Sequence, residues 1–272
     1  MWSKGTTDPL ARLLFGKYGA HVLARPRRSL AVLTVFGVRD GRTYVSGPLA
    51  SVLRVPFEEP PIARNEPVLD IASTTSSATT GSVALSFLQG FMALLGAVGA
   101  RAGASLERSG SEVYTFRFEG CTLDSVTDVF DLENRLGDLE FNRERSAMRD
   151  DAKYYIAQGV HSCTSLTFDA LDKRGGKVDL SADVAAVAGA NASLSVDKDR
   201  TVTAKSDVPL AYGVMLNELS YDPKRKRLGL KEVQQYVHVM AHAPRVQPTT
   251  MTRVGDADSG VLVVEDEEMG PA

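Results

Sequence analysis

Apolar residues recur along this chain mostly in short runs or at every second position, which is a strand pattern, and helical spacing is confined to a few stretches. Leu10, Leu13 and Leu14 share one face behind Asp8-Pro9, an N-cap with proline at the first helical position, and predict a short amphipathic helix ending at Gly16 or Gly19. Leu30 to Phe36 is an apolar run of the buried-strand type. Arg39-Asp40-Gly41-Arg42 supplies a turn, and Thr43-Tyr44-Val45 the returning arm. A short helix is expected over Gly47 to Leu53, with Leu49, Val52 and Leu53 inward. Pro56 to Pro67, with four prolines, reads as a non-helical connection. In Glu112 to Phe118, Tyr114, Phe116 and Phe118 alternate with Val113, Thr115 and Arg117, a half-buried strand. Charge-rich Asp124 to Arg149, with Leu132, Leu136 and Leu139 at helical spacing, predicts a helix. Tyr154-Tyr155-Ile156 opens another strand, Pro209 to Leu230 reads as a hairpin turning at Asp222-Pro223, and a last helix is expected from Lys231 to His242.

Two stretches depart from this routine. Ile71 to Ala100 holds no charged residue over 30 positions, and Val83 to Ala100 is apolar apart from Ser86 and Gln89. Its length suits a transmembrane helix, whereas Gly90, Gly96 and Gly99 weaken one, and a core helix followed by a Gly/Ala-rich strand fits equally well. In the second stretch Val178, Leu180, Ala182 and Val184 alternate with polar residues. Ala190, Ala192, Leu194 and Val196 do the same, and Leu166, Phe168 and Ala170 repeat the period upstream. An antiparallel sheet with one wet face and a membrane barrel strand, apolar toward lipid and polar toward a lumen, both produce that pattern.

Charge matters here only when divided. The 272 residues carry a net charge of -3. Residues 246–272 contain one basic residue against six acids, a net of -5, which leaves +2 for the remainder. Inside that acidic tail stands Val261-Leu262-Val263-Val264, an apolar tetrad that a purely solvated tail has no use for, so the tail reads as a docking strand or peptide. Burying it is worth roughly 1.5–3 kcal/mol per side chain before ordering costs. With 43% apolar and 24% charged residues the chain has a globular composition, and its balance gives no support to a nucleic-acid partner. Two cysteines, Cys121 and Cys163, suit a reducing compartment, and residues 1–29 show no secretory signature.

Catalytic patterns are thin. There is no Gly-x-Ser-x-Gly elbow, and Gly175-Gly176-Lys177 lacks the rest of a phosphate loop. His238 and His242 lack the glutamate of a zinc helix, and His161 beside Cys163 is a spacing common on inert strands. No enzyme activity, metal or cofactor is expected.

The order of elements, and three segments within it, resemble the bacterial gasdermins. Tyr18-Gly19-Ala20-His21-Val22-Leu23-Ala24-Arg25-Pro26-Arg27 is similar to that family's opening Gly-Tyr and Leu-Pro-Arg segment. Leu49 to Pro61 is similar to its Leu-rich turn and Pro-Pro stretch, and Ala211-Tyr212-Gly213-Val214 to a late strand. The likeness covers roughly residues 8–245. It implies an α+β fold with a twisted, mainly antiparallel central sheet and surrounding helices over residues 1–245, held inactive by a cleavable linker and inhibitory C-terminal peptide in residues 246–272. It further implies activation by a caspase-like or trypsin-like protease, assembly with itself into a large ring in membrane lipid, and bacterial cell death in antiphage defence. The protein would be cytoplasmic when intact and in the inner membrane after cleavage. The competing expectation is a soluble lipid- or protein-binding module with an acidic recruiting tail.

On that resemblance Val261, Leu262, Val263 and Val264 form the inhibitory peptide, and Arg245, Arg253, Asp256 and Asp258 are candidate cleavage positions. The inserting hairpins fall at about Ile71 to Ser105, using Ile71, Val83, Leu85, Phe87, Phe91, Leu95 and Val98, and at about Ser162 to Lys205. The second uses Leu166, Phe168, Val178, Leu180, Val184, Ala192, Leu194 and Val196, with Asp179, Asp183 and Asp197 toward an acidic lumen. Arg25, Arg27, Arg28, Lys224, Arg225, Lys226 and Arg227 are candidate contacts to lipid head groups. Family members commonly carry a lipidated cysteine near the start; Ser3 stands there here, so lipidation is not expected.

Overall fold

Two unusually long strands organise the molecule. In the computed structural model the described residues are 9–28, 30–39, 42–77, 87–88, 90–91, 113–137, 139–140, 153–172, 174–179, 192–222, 227–233, 238–241 and 261–265. β8 (Lys153–Leu171) and β10 (Val202–Asp222) run antiparallel from Val202 opposite Phe168 to Leu219 opposite Tyr154. Three interruptions of register in β10 let this ribbon bend.

Shorter strands line both outer edges of the ribbon. β2 (Thr34–Arg39), β7 (Thr122–Val126) and β6 (Val113–Glu119) follow one another along β8. β11 (Arg227–Glu232), β1 (His21–Arg27) and β9 (Ala192–Val196) follow one another along β10. A second tier pairs β3 (Arg42–Pro48) with β2, β4 (Ile62–Pro67) with β7, and β5 (Ile71–Ser77) with β6. All of these pairings are antiparallel. The parallel ones involve only β12 (His238–Ala241) and β13 (Val261–Glu265). The fold is thus a mostly antiparallel sheet with few helices, as expected.

Side chains from the ribbon supply two apolar cores. One gathers Leu166, Phe168 and Ala170 of β8 with Val202, Ala204, Leu210 and Tyr212 of β10, under the β6 aromatics and the helix α1 (Pro9–Tyr18). The other gathers Ile156 and Val160 with Ala211, Val214, Leu216 and Leu219, under α2 (Leu49–Val52) and α3 (Val129–Leu136). Ala211 and Tyr212 are adjacent yet belong to different cores, because successive strand residues point to opposite faces.

The helices end and begin where local chemistry dictates. α1 stops at Gly19, whose φ of +63 allows its N–H to return to the Phe15 carbonyl. Leu49, Val52 and Leu53 are buried as expected. α3 begins at Asp128, whose carboxylate accepts the Phe130 and Asp131 N–H groups.

Three expectations need correction. The strand expected from Leu30 starts at Thr34, since Leu33 sits at φ +66 with its N–H on the Ala157 carbonyl and its own carbonyl on the Leu49 N–H. Asp124 to Val126 belong to β7, not to a helix. The helix that Leu132 and Leu136 mark is only Val129–Leu136, and 141–150 lie outside the described residues. Where the last helix is expected, Lys231 and Glu232 close β11 and His238 to Ala241 form β12 in parallel beside β1, while 234–237 and 242 lie outside the described residues. The uncharged run had two open readings, and no helix among the described residues is long and apolar enough to cross a membrane. Phe87, Leu88, Gly90 and Phe91 are helical, and Phe87 and Phe91 are buried in the first core.

Candidate functional site: a docked C-terminal strand and two hairpin segments

The apolar tetrad of the tail lies inside the sheet. β13 has β12 on one side, with His238, Val239, Met240 and Ala241 opposite Val261, Leu262, Val263 and Val264. On the other side is β3, with Arg42, Thr43 and Tyr44 opposite Val263, Val264 and Glu265. A β-branched run suits this role, since such residues favour extended backbone. Flanked on both edges, the strand directs its N–H and C=O groups to neighbours rather than to water. It also joins the β1–β12 side of the sheet to the β3–β2 side. The candidate cleavage positions Arg245, Arg253, Asp256 and Asp258 lie outside the described residues, as does Ser3.

The first hairpin segment is bracketed by β5 and β6, which pair from Ile71 opposite Phe118 to Ser77 opposite Val113. Ile71 is buried. Phe87 stacks edge-on against Phe116 at 6.0 Å and meets Phe118 at 5.7 Å. Val83, Leu85, Leu95 and Val98 lie outside the described residues. In the second segment Leu166 and Phe168 are core residues of β8, Val178 and Val196 pack partly buried against the same core, and Ala192 and Leu194 lie in β9. Leu180, Val184 and Asp183 fall outside the described residues. Both segments are therefore anchored in one core.

A polar clasp ties the base of the second segment. Lys177 Nζ lies 2.8 Å from Asp169 Oδ1 and donates to Thr201 Oγ1 at 2.7 Å, while Thr201 Oγ1 donates to the same Asp169 oxygen at 2.7 Å. Thr201 is held by a turn in which Asp197 Oδ1 accepts the Asp199 and Thr201 N–H groups, and Arg200 takes φ +61. Asp197 is thus a turn anchor in this state. Sequence reading missed the clasp; the Asp197-Lys198-Asp199-Arg200 turn composition was a signal for its position, but nothing local marks Asp169 as its partner.

Elsewhere on the ribbon the core contains a cluster of titratable groups. His161 is 3% exposed, lies against the rings of Tyr18 and Tyr212, and neither of its ring nitrogens makes a well-formed hydrogen bond among the described residues. Burial, only partly offset by the Tyr18 main chain, pushes its pKa from 6.5 down to about 4. Burial pushes the Cys121 thiol up to about 11 and the Cys163 thiol further still. A nucleophilic thiol needs the opposite shift. The His161–Cys163 spacing therefore builds no thiol–base pair.

The histidine makes stability depend on pH. Above 6.5 it is neutral in both folded and unfolded chains, and its contribution is complete. As pH falls toward 4 the unfolded chain takes up the proton first, so stability is lost across that window. The expected loss is about 3 kcal/mol. Urea unfolding at pH 7 and pH 4.5 should show it, and His161→Gln should flatten it; an unchanged slope in the variant would assign the loss to other groups.

A family model described as the Bacterial Gasdermin Family matches residues 23–229, about three quarters of the chain. The chain belongs to the bacterial gasdermin family. Its fold is similar to the solved structure of a bacterial gasdermin from Bradyrhizobium tropiciagri, with a TM-score of 0.66 and 16% sequence identity over 98% of this chain and 100% of that one. No curated protein matches by sequence.

Gasdermins are a pore-forming rather than a catalytic family, which agrees with thiols that burial silences. The family match spans both hairpin segments and ends before β12 and β13. The two groups of candidate lipid-binding cations are apart in this gasdermin. Arg25 and Arg27 lie on β1, where Arg27 opposes Ala211, and Arg28 follows exposed. Arg227 opposes Asp222, eleven positions further along β10. Lys224, Arg225 and Lys226 lie outside the described residues.

Proposed function

We propose that this gasdermin is an autoinhibited pore former whose lock is its own C-terminal strand. The observation that carries the reading is β13, a strand separated from β12 by a linker with candidate scissile residues and paired on both edges. While it is covalently attached, the strand re-docks at an effective concentration on the order of mM. A salt-screened attraction between the acidic tail and the +2 body adds to this. Cleavage after Arg245, Arg253, Asp256 or Asp258, by a trypsin-like or caspase-like protease, removes the tether and the strand dilutes away.

Loss of β13 leaves β12 and β3 each with an unpaired edge, and open edges seek new strands. In hydrocarbon such edges are tolerated only when neighbours close them, so insertion and ring assembly go together. Residues 1–245 then act as the pore-forming unit and 246–272 as its lock, passing from cytoplasm to inner membrane. The two hairpin segments leave the core to line the membrane, and the basic residues meet anionic head groups. Bacterial cell death during phage infection is the use this device serves best. The test is dye release from anionic liposomes by the full-length chain and by a chain ending at Arg245. Leakage by the shortened chain alone supports the reading; equal leakage, or none from either, overturns it.

A further inference from the structure

The two cysteines, which serve neither the lock nor the hairpins above, face each other across a strand pair. Glu119 opposes Ser165 in β6–β8 and Thr122 opposes Ser162 in β7–β8, so the same register holds on either side of a two-residue break at Gly120 and Cys121. Gly120 therefore opposes Thr164, into which any side chain at Gly120 would run, and Cys121 opposes Cys163. Both thiols are free and buried, at 3% and 1% exposure, and Cys121 interacts with the Tyr212 hydroxyl.

The two thiols lie within electrostatic reach of each other and of the Tyr212 hydroxyl. Cys121 donates its N–H to Asp70 Oδ1 at 3.1 Å, and its carbonyl accepts the Val68 N–H at 3.1 Å. Its main-chain groups thus turn to the segment before β5, away from β8.

We propose that Cys121 and Cys163 are a redox pair, joined by a peroxide-class oxidant into a disulfide that staples the β6–β7 junction to β8 and holds this gasdermin in its folded sheet. Cys121, the less suppressed thiol, attacks hydrogen peroxide as the thiolate; the O–O bond breaks, one oxygen leaves as water, and Cys121 becomes a sulfenic acid. The Cys163 sulfur then displaces the sulfenic oxygen as a second water. Two thiols have lost two protons and two electrons, and peroxide has gained them. Burial keeps both thiols protonated in the closed sheet, so oxidation proceeds through local openings at the β6–β7 junction. The inhibitory half of the proposal rests on the pore-forming reading, because residues 162–171 open the second hairpin segment and β6, which pairs with them, brackets the first.

The experiment treats the full-length chain with hydrogen peroxide, then denatures it with N-ethylmaleimide and weighs it. The expected protein has lost two hydrogens, takes up no maleimide and yields a linked Cys121–Cys163 peptide. Cys121→Ser and Cys163→Ala each retain one reactive thiol. Two reactive thiols after oxidation, or links only between chains, overturn the pair whatever the protein does to membranes. The full-length chain carrying Val263→Pro, with its lock disrupted, is then mixed with anionic liposomes before and after oxidation. Leakage should slow by about tenfold on oxidation, recover with dithiothreitol, and ignore peroxide when Cys163→Ala is added. A formed disulfide with undiminished leakage overturns the inhibitory half. Absence of leakage from the reduced protein counts instead against the pore-forming reading, and the mass result still decides the pair.

Discussion

Full-length chain carrying Val263→Pro is expected to release dye from anionic liposomes without any protease. Val263 is opposite Met240 on one edge and Arg42 on the other, so a proline there has no edge facing solvent. Proline removes the N–H, leaves the partner carbonyl unpaired and is excluded from the middle of a sheet. With the orphaned carbonyl included, the cost to docking is about 3 kcal/mol, which raises the undocked fraction roughly 100-fold. Since the argument concerns the main chain alone, Val263→Ala should stay close to the unaltered protein and serves as the control. Amide exchange at 238–241 and 42–44 should rise in the proline variant as its two neighbours lose their partner. A quiet variant with raised exchange would count against the autoinhibited-pore reading.

Phe116→Ala should cost the folded state about 3–5 kcal/mol in urea unfolding. The ring is fully buried, stands opposite Thr74 of β5 and Phe168 of β8, and contacts the rings of Phe87, Tyr114 and Phe118. It is therefore the point where the two hairpin segments share a core. Removing it leaves a cavity among large neighbours that cannot all collapse into the space. Phe116→Leu, which keeps most of the volume, should recover more than half of the loss. A cost below about 1 kcal/mol would mean that the aromatic cluster does not hold these strands together.

Strands with one dry face were legible one at a time. The alternation of Tyr114, Phe116 and Phe118 marked β6, and Tyr154-Tyr155-Ile156 marked the opening of β8. The tetrad Val261 to Val264 stood out because an acidic tail has no local reason to carry it. His161 and Cys163 were visible as residues, but their silence as chemical groups follows from burial, which no spacing encodes. The helix expected over Lys231 to His242 failed because Val-Gln-Gln-Tyr-Val-His-Val-Met fits either period, and parallel partners chose the strand. Leu33 broke an otherwise continuous apolar run because two distant main-chain groups, of Ala157 and Leu49, claim its backbone.

By itself the sequence determined which residues want to be dry, where charge is withheld, and that an acidic tail carries an apolar strand. It also carried enough of the order of elements to point to the gasdermin family. Only the tertiary structure decided that the tail strand fits between β12 and β3, that Lys177 reaches Asp169 and Thr201, and that Cys121 faces Cys163. The physical reason is one of range. Hydrophobic periodicity is written into neighbours along the chain, whereas strand pairing joins residues tens to hundreds of positions apart through main-chain groups that every residue carries alike.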